Sequence, residues 1–405
     1  MNSKIVTLQN RNQLGAYLII FGLFFFINPI LGIILASAAA ASKNNTVAIK
    51  PLVIFLVLYL SALNTTKVHD SDMFDYIDMF NRVPLNGYKG TLGFLSIDDS
   101  PKDIVYSTLV YILYYVLFGN QYLFIFAISC LTFLFAFLSV YRFNRSYGTP
   151  NYLIVAELLT LAFFTQYFSL SFHLVRQELA TSVFFFALSY KNQSLWKFII
   201  WSSVSIMVHS SLAIIILLGF IPFMNRQLYL KEIAVLVAFA ISFMFVFSFL
   251  GDFVLSRVSL SGEALTNVNR MANMEGAHDA TDGSGTEVII VASILMGVLS
   301  FFDIIRRRKM IYPIVVNLCF VWSVLILSLS ASPILQYRFF FIEYTFLPFI
   351  FYLPFKGHNL IRKPVCLLVV SFLFVRFFML LNGVFHYTSV HEALLDPFFM
   401  LIKLS

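Results

Sequence analysis

Residues 168–190 read FSLSFHLVRQELATSVFFFALSY, an apolar run whose first half carries His173, Arg176, Gln177 and Glu178. On a helix, His173, Arg176, Gln177 and Ala180 fall at i, i+3, i+4 and i+7, so the polar groups share one face and small Ala180 leaves room beside them. An arginine at the centre of a membrane helix costs about 2.5–3.5 kcal/mol on insertion scales, and less near an end, where it can snorkel. Such a residue calls for a compensating partner or ligand.

Apolar runs of this kind recur along the whole chain. Of 405 residues, 60% are hydrophobic and 48 are Phe, while 12% are charged against roughly 25% in soluble domains, which rules out a soluble globular class. A bilayer core of about 30 Å takes roughly 20 apolar residues per helix. The pattern predicts an all-α polytopic membrane protein, one integral domain over 1–405 with roughly 11–14 transmembrane helices.

The net charge of +7 does not signal nucleic acid, because the basic residues sit in short clusters between apolar runs. Cys130, Cys319 and Cys366 lie within apolar runs without CxxC spacing, which supports neither a disulfide framework nor a zinc site. The opening MNSKIVTLQNRNQ precedes a long apolar segment with no small-residue cleavage site and reads as the lead-in to an uncleaved first helix.

Residues 14–41 are apolar but broken at Asn28-Pro29, which allows one long tilted helix or two short ones. Two polar stretches, 64–103 and 251–287, read as long loops on the outer side. The run 104–118 is about 22 Å long as a helix, too short for a secure crossing. The segment 196–223 is long and interrupted at His209-Ser210-Ser211.

Arg142 with Arg145, Lys191 with Lys197, Arg226 with Lys231, residues 306–309, and Lys356 with Arg362 and Lys363 all favour the cytoplasm. Parity then puts the corners at 169–176 and 332–338 outside. For the crossings to balance, 196–223 consists of two limbs meeting near His209.

Five polar groups stand out against this background. The first is the His173, Arg176, Gln177 face; its bland reading is an arginine snorkelling to lipid phosphate. The second is His209 with Ser210 and Ser211, otherwise a core histidine satisfied by a neighbouring helix. Gln336-Tyr337-Arg338, just ahead of Glu343, is the third, with a local ion pair as the alternative at a poor helical spacing. The fourth is the acidic cluster Asp70, Asp72, Asp75 and Asp78 with His69 and Tyr76, which a solvated loop would also explain. Arg376, inside the last span, is a weaker fifth.

Arginine forks suit a diphosphate, and a nearby carboxylate or imidazole suits removing a proton from an alcohol. Walker A, GxSxG, dinucleotide and metal-ligand motifs are absent from the sequence, so no metal or other cofactor is expected.

The succession Asp72, Asp75, Tyr76, Phe80; then Arg176, Gln177, Ala180; then His209-Ser210; then Tyr337-Arg338 resembles the EpsG-like branch of Wzy-type polysaccharide polymerases. The resemblance spans most of the chain. Two departures stand out: the family's early glycine-aspartate-tyrosine run is here HDSDMFDY, which leaves the matching aspartate open, and the extension before Pro51 is longer.

The resemblance implies a GT-C-like membrane fold with two long outer loops. It also implies an enzyme that transfers a growing glycan from undecaprenyl diphosphate to the sugar hydroxyl of another lipid-linked repeat unit, building O-antigen or exopolysaccharide. The reaction would take place, without a metal, at the outer face of the bacterial cytoplasmic membrane.

In that reading Arg176 and Arg338 hold the donor diphosphate. His209 or one of Asp72 and Asp75 accepts the acceptor's proton, and His173, Gln177, Tyr76 and Tyr337 orient sugar or phosphate. The partners are the lipid-linked donor and acceptor and the bilayer, with a chain-length regulator and a flippase open to such an enzyme. A flippase or transporter of lipid-linked oligosaccharide, and a ligase or acyltransferase of surface glycans, remain alternatives. On this topology, Ser284→Cys should be labelled from outside by a membrane-impermeant maleimide in intact spheroplasts. Protection there would overturn the orientation.

Overall fold

The computed structural model describes residues 2–42, 45–67, 71–94, 103–242, 284–305, 312–329, 333–353, 359–383 and 387–402, without the side chains of 2–12, 71–72, 284–286, 333–335, 359–360 and 382–383. Among these residues every regular element is a helix, as an all-α polytopic membrane protein requires. The chain forms two compact units, one of Met1–Phe94, Asp103–Ser210 and Phe355–Ser405, the other of Leu95–Lys102 and Ser211–Pro354.

The first unit begins with α1 (Asn2–Ile27), α2 (Pro29–Ala41), α3 (Ile49–Asn64), α4 (Ser71–Asn81), α5 (Val83–Gly93) and α6 (Ile104–Val116). It continues through α7 (Gln121–Ser146), α8 (Asn151–Phe163), α9 (Thr165–His173), α10 (Val175–Leu188) and α11 (Leu195–Val208). The second unit holds α12 (Ala213–Phe220), α13 (230–242), α14 (Ser284–Ile305), α15 (Pro313–Ser328) and α16 (Pro333–Glu343). The chain then returns to the first unit as α17 (Asn359–Gly383) and α18 (Val390–Leu395), with a last turn at Phe398–Leu401.

Three helical stretches are long and apolar enough to cross a bilayer unaided: Gln121–Ser146, Glu287–Ile305 and Ile361–Leu381. The pair α8 and α9, bent by 53°, makes a fourth if counted as one span. The remaining apolar helices are shorter, including both limbs of the first apolar run. That run is two helices: Asn28 accepts from the Leu31 amide at 2.9 Å as an N-cap, and Pro29 at the first helical position fixes the start of α2. The limbs fold back on each other, so that Asn45 just beyond α2 donates to Tyr17 of α1 at 2.9 Å. Gly32 permits the closest approach, since a Cβ there would stand 2.6 Å from the Phe25 Cα.

The stretch 64–103 carries α4 and α5 rather than irregular chain alone. Most of the 251–287 stretch, together with His69 and Asp70, lies outside the described residues. The 196–223 segment does break at the histidine: α11 ends at His209, a short 3-10 turn covers Ser210–Leu212, and α12 follows.

Within the first unit, α3 is buried along nearly its whole length and packs on α7 and α2. Asn64 at its end donates to Ser129 at 2.9 Å and to Ser171 at 2.8 Å, and accepts from Tyr387 at 3.2 Å, so one buried amide joins α3, α7, α9 and the C-terminal segment. That segment also reaches the N-terminal helices directly. Asn28 donates to the Leu394 carbonyl at 2.9 Å, Tyr59 to Ala393 at 2.9 Å and Thr65 to Leu401 at 3.3 Å. Where α10 crosses α11, the Ser205 hydroxyl donates to the Ala180 carbonyl at 2.8 Å, a contact that a larger residue at 180 would obstruct.

In the second unit, Gln336, Phe340 and Glu343 are buried on one face of α16, while Tyr337 and Arg338 lie exposed on another. Glu343 accepts hydrogen bonds from Ser293 of α14 and Ser323 of α15, so the local ion pair with Arg338 is not what holds it.

Gly32→Leu should lower the stability of the purified protein by about 1–3 kcal/mol, the usual range for overpacking, whereas Gly22→Leu, with no atom within 4 Å of the added carbon, should leave it unchanged. Thermal unfolding in detergent checks both, and equal behaviour of the two would contradict the tight α1–α2 turn.

Candidate functional site

Asp103 immediately precedes α6, and its backbone is left-handed at φ 54°, ψ 47°. This conformation is uncommon for any residue but glycine, though less so for aspartate, and non-glycine residues held in it concentrate at functional sites. The side chain is fully buried and meets three groups from distant parts of the chain. Arg176 donates from Nη1 to Oδ2 at 2.5 Å, and His209 Nδ1 lies 3.3 Å from the same oxygen. The Ser210 amide donates to Oδ1 at 3.4 Å.

Arg176 stands one residue into α10, just after the short link at Leu174. Its Nε donates to the Tyr76 hydroxyl of α4 at 3.1 Å, and its guanidinium carbon is 5.5 Å from the Tyr76 ring. Tyr106, one turn into α6 and fully buried, packs edge-on against Tyr76 at 5.6 Å. Neither its hydroxyl nor that of Ser107 has a hydrogen-bond partner, which leaves two buried polar atoms beside the cluster. Arg176 has five N–H donors, of which Asp103 and Tyr76 take two, and its side chain is 22% exposed. The guanidinium therefore retains donors for an anion.

Burial disfavours ionisation of Asp103. The hydrogen bond and charge of His209, the charge of Arg176 and the Ser210 amide outweigh it and hold the carboxyl below the ordinary 3.8. An ionised carboxylate only accepts, so the His209 nitrogen facing it, Nδ1, carries a proton, and Nε2 is the nitrogen that Asp103 does not engage. A 3.3 Å separation is within what unliganded sites show before a substrate tightens them. The cluster thus sets an arginine with donors to spare beside an imidazole that Asp103 engages through one nitrogen only.

The cluster brings together three residues anticipated from the sequence, Arg176, His209 and Tyr76, and does so through Asp103. The others lie elsewhere. His173, at the end of α9, accepts from the buried Lys67 ammonium at 2.6 Å, while Lys67 also lies over the Phe172 ring at 4.7 Å and the Tyr387 ring at 5.7 Å. Gln177 is buried within α10, where its backbone carbonyl accepts from the Thr181 hydroxyl at 2.7 Å. Asp75 is exposed on α4, and Asp78 pairs with Arg82 at 2.9 Å; the backbone of Asp72 is helical, but its side chain is outside the described residues. Tyr337 and Arg338 are exposed on the second unit, with the Tyr337 ring 4.2 Å from Phe341.

Asp103 and Lys67 are the residues that sequence reading passed over. Asp103 ends the polar SIDDSPKD stretch, where its only visible signal is an acidic residue in front of an apolar helix. Among the described residues no group of three or more His, Cys, Asp or Glu side chains is placed to hold a metal ion. Besides the carboxylate, the cluster presents a guanidinium, an imidazole and two phenols.

The sequence profile described as the EpsG family matches residues 47–393, most of the chain. No curated protein sequence and no solved structure matches it.

A double-mutant cycle tests the central pair: Asp103→Asn and Arg176→Gln should each destabilise the purified protein, and together by at least about 1 kcal/mol less than the sum. Strict additivity would mean that the two groups do not interact. Because the folded carboxyl titrates below its ordinary value, its stabilisation is present above that value and lost only as pH falls through the depressed one, so the Arg176–Asp103 coupling read from the cycle should be the same in neutral and mildly acidic buffers.

Proposed function

The chain belongs to the EpsG family, and on that premise we propose that it polymerises surface polysaccharide by joining lipid-linked repeat units at the outer face of the bacterial cytoplasmic membrane. The observation that carries this reading is the Asp103, Arg176, His209 cluster: a buried carboxylate holds an arginine, a group suited to a diphosphate, beside an imidazole, a group suited to taking a proton.

The reaction balances on these groups. The acceptor sugar hydroxyl gives its proton to His209 Nε2 while its oxygen attacks the donor's anomeric carbon, and the bond from that carbon to the diphosphate oxygen breaks. Undecaprenyl diphosphate leaves with the bonding electron pair, and Arg176 neutralises the charge that develops on it. Asp103 touches neither sugar; it fixes the imidazole tautomer and stabilises the imidazolium that forms, as a carboxylate behind a catalytic histidine does. Tyr76 orients the guanidinium through Nε.

This favours His209 over Asp72 and Asp75 as the base. Asp75 is solvent-exposed, and its helix contributes Tyr76 to the cluster instead. Arg338 is a separate part of the proposal, carried by the second unit, and is tested by its own variant.

Deletion of the gene should leave single repeat units on the lipid core in a polysaccharide gel. Loss of all surface glycan would favour a flippase, and normal long chains would exclude both. Arg176→Ala and Arg338→Ala should each abolish chain growth while the protein still reaches the membrane, and wild-type lengths in either would reduce that arginine to an anchor. His209→Asn should slow polymerisation by about 10²–10⁴-fold, the usual contribution of a general base.

A further inference from the structure

A cavity of about 820 Å³ lies in the first unit along α8 and α17, with Ala41 at the end of α2 on its rim. It is distinct from the Asp103 cluster. Arg142 of α7 donates to Ser189 at 3.0 Å, which places the α7–α8 turn at the far end of α10 from Arg176, and α10 is about 21 Å long at 1.5 Å per residue. Nothing in the proposed glycosyl transfer uses this cavity.

Its lining is arranged in order along both helices. On α8, Tyr152, Val155, Ala156 and Leu159 fall at i, i+3, i+4 and i+7; on α17, Arg362 is followed by Cys366 and Val370 at i+4 and i+8. Both stripes start at a polar end and become apolar over roughly 10 Å. At the polar end Arg362 is 8% exposed and its guanidinium is held in place, with Nε donating to the Tyr152 hydroxyl at 2.8 Å. Lys363 is exposed beside it, with Nζ 5.5 Å from the Tyr152 ring. The Asn151 amide, also lining the cavity, donates to the Ser42 carbonyl at 2.8 Å and fixes the wall formed by α2. The buried carboxyl of Glu157 is engaged by Asn144 at 2.6 Å. Leu367, on the cavity's outer lip, is 70% exposed, as a side chain facing lipid tails would be.

We propose that this groove is a binding site for an anionic glycerophospholipid, its phosphate against Arg362 and Lys363 and one acyl chain along the stripe from Val155 to Leu159 and Val370. Charge complementarity selects the occupant. Two adjacent cations at the mouth of an apolar groove between membrane helices fit a lipid whose head is anionic and whose tail is long, and basic pockets between membrane helices bind such head groups. A zwitterionic lipid offers a phosphate with its charge already compensated, and a free phosphate offers nothing for the apolar stripe. The bound lipid would lie in the leaflet next to the basic helix ends that carry Arg142 and Arg362.

The test uses the full-length protein in nanodiscs of phosphatidylcholine containing a small fraction of phosphatidylglycerol, with lipids retained after release counted by native mass spectrometry. The wild type should keep one phosphatidylglycerol in preference to phosphatidylcholine. The paired substitutions Arg362→Gln and Lys363→Gln should reduce that retention at least tenfold. Since Arg362 also braces Tyr152, Leu159→Trp provides a second arm: it fills the groove, leaves both cations in place, and should evict the lipid as well. Retention of phosphatidylglycerol by both variants at the wild-type level would overturn the site. So would equal retention of phosphatidylcholine by the wild type, or displacement of the lipid by millimolar inorganic phosphate alone. These readouts are independent of chain growth, so they stand or fall separately from the polymerase reading.

Discussion

The first unit's candidate site depends on one buried ion pair, that of Arg176 with Asp103. An arginine in an apolar helix and a carboxylate shielded from water are each unfavourable alone; together, at 2.5 Å, they compensate one another. The same carboxylate oxygen also faces His209, so α10, α11 and the start of α6 meet at one atom. The left-handed backbone at Asp103 is how α6 begins while its side chain turns in towards that meeting point. Removing either partner alone would leave a charge shielded from water and uncompensated, which is strongly destabilising.

How much of this was legible from sequence divides along physical lines. The apolar runs identify an all-α membrane protein because a bilayer demands them, and the proline at 29 and the polar break at His209 mark chain interruptions because both disturb a helix locally. Arg176 and His209 attract notice because polar groups are conspicuous in apolar surroundings. Asp103 does not, since it follows a polar stretch where an acidic residue is ordinary. Its partners lie 73 and 106 residues away, a pairing that periodicity cannot reveal. For the same reason His173 appears on the Arg176 face of a single continuous helix, whereas the link at Leu174 separates α9 from α10 and lets His173 turn to Lys67.

Small and polar residues do much of the remaining work. Lipid tails are as apolar as leucine, so helices in a membrane gain little by hiding hydrophobic surface from each other, and close packing with a few hydrogen bonds must hold them. Asn64 bonding to two serines and a tyrosine, Ser205 to the Ala180 carbonyl, and Glu343 to two serines follow that rule within each unit. The aromatic content serves the same end: Phe163 and Phe168 both meet Phe377, which binds the bent α8–α9 pair to α17 by ring packing.

The hydrogen bonds from Asn28, Tyr59 and Thr65 to carbonyls at 394, 393 and 401 connect the beginning of the chain to its last helices. They bear on biogenesis. When α2 and α3 leave the ribosome, the acceptors for these side chains have not been made, and more than 300 residues must follow before they are. The helix α2 has 13 residues, about 20 Å, too short to span the hydrocarbon core alone. The N-terminal helices therefore wait in the membrane as an incomplete bundle, and the first unit closes only once synthesis has passed through the whole second unit and come back.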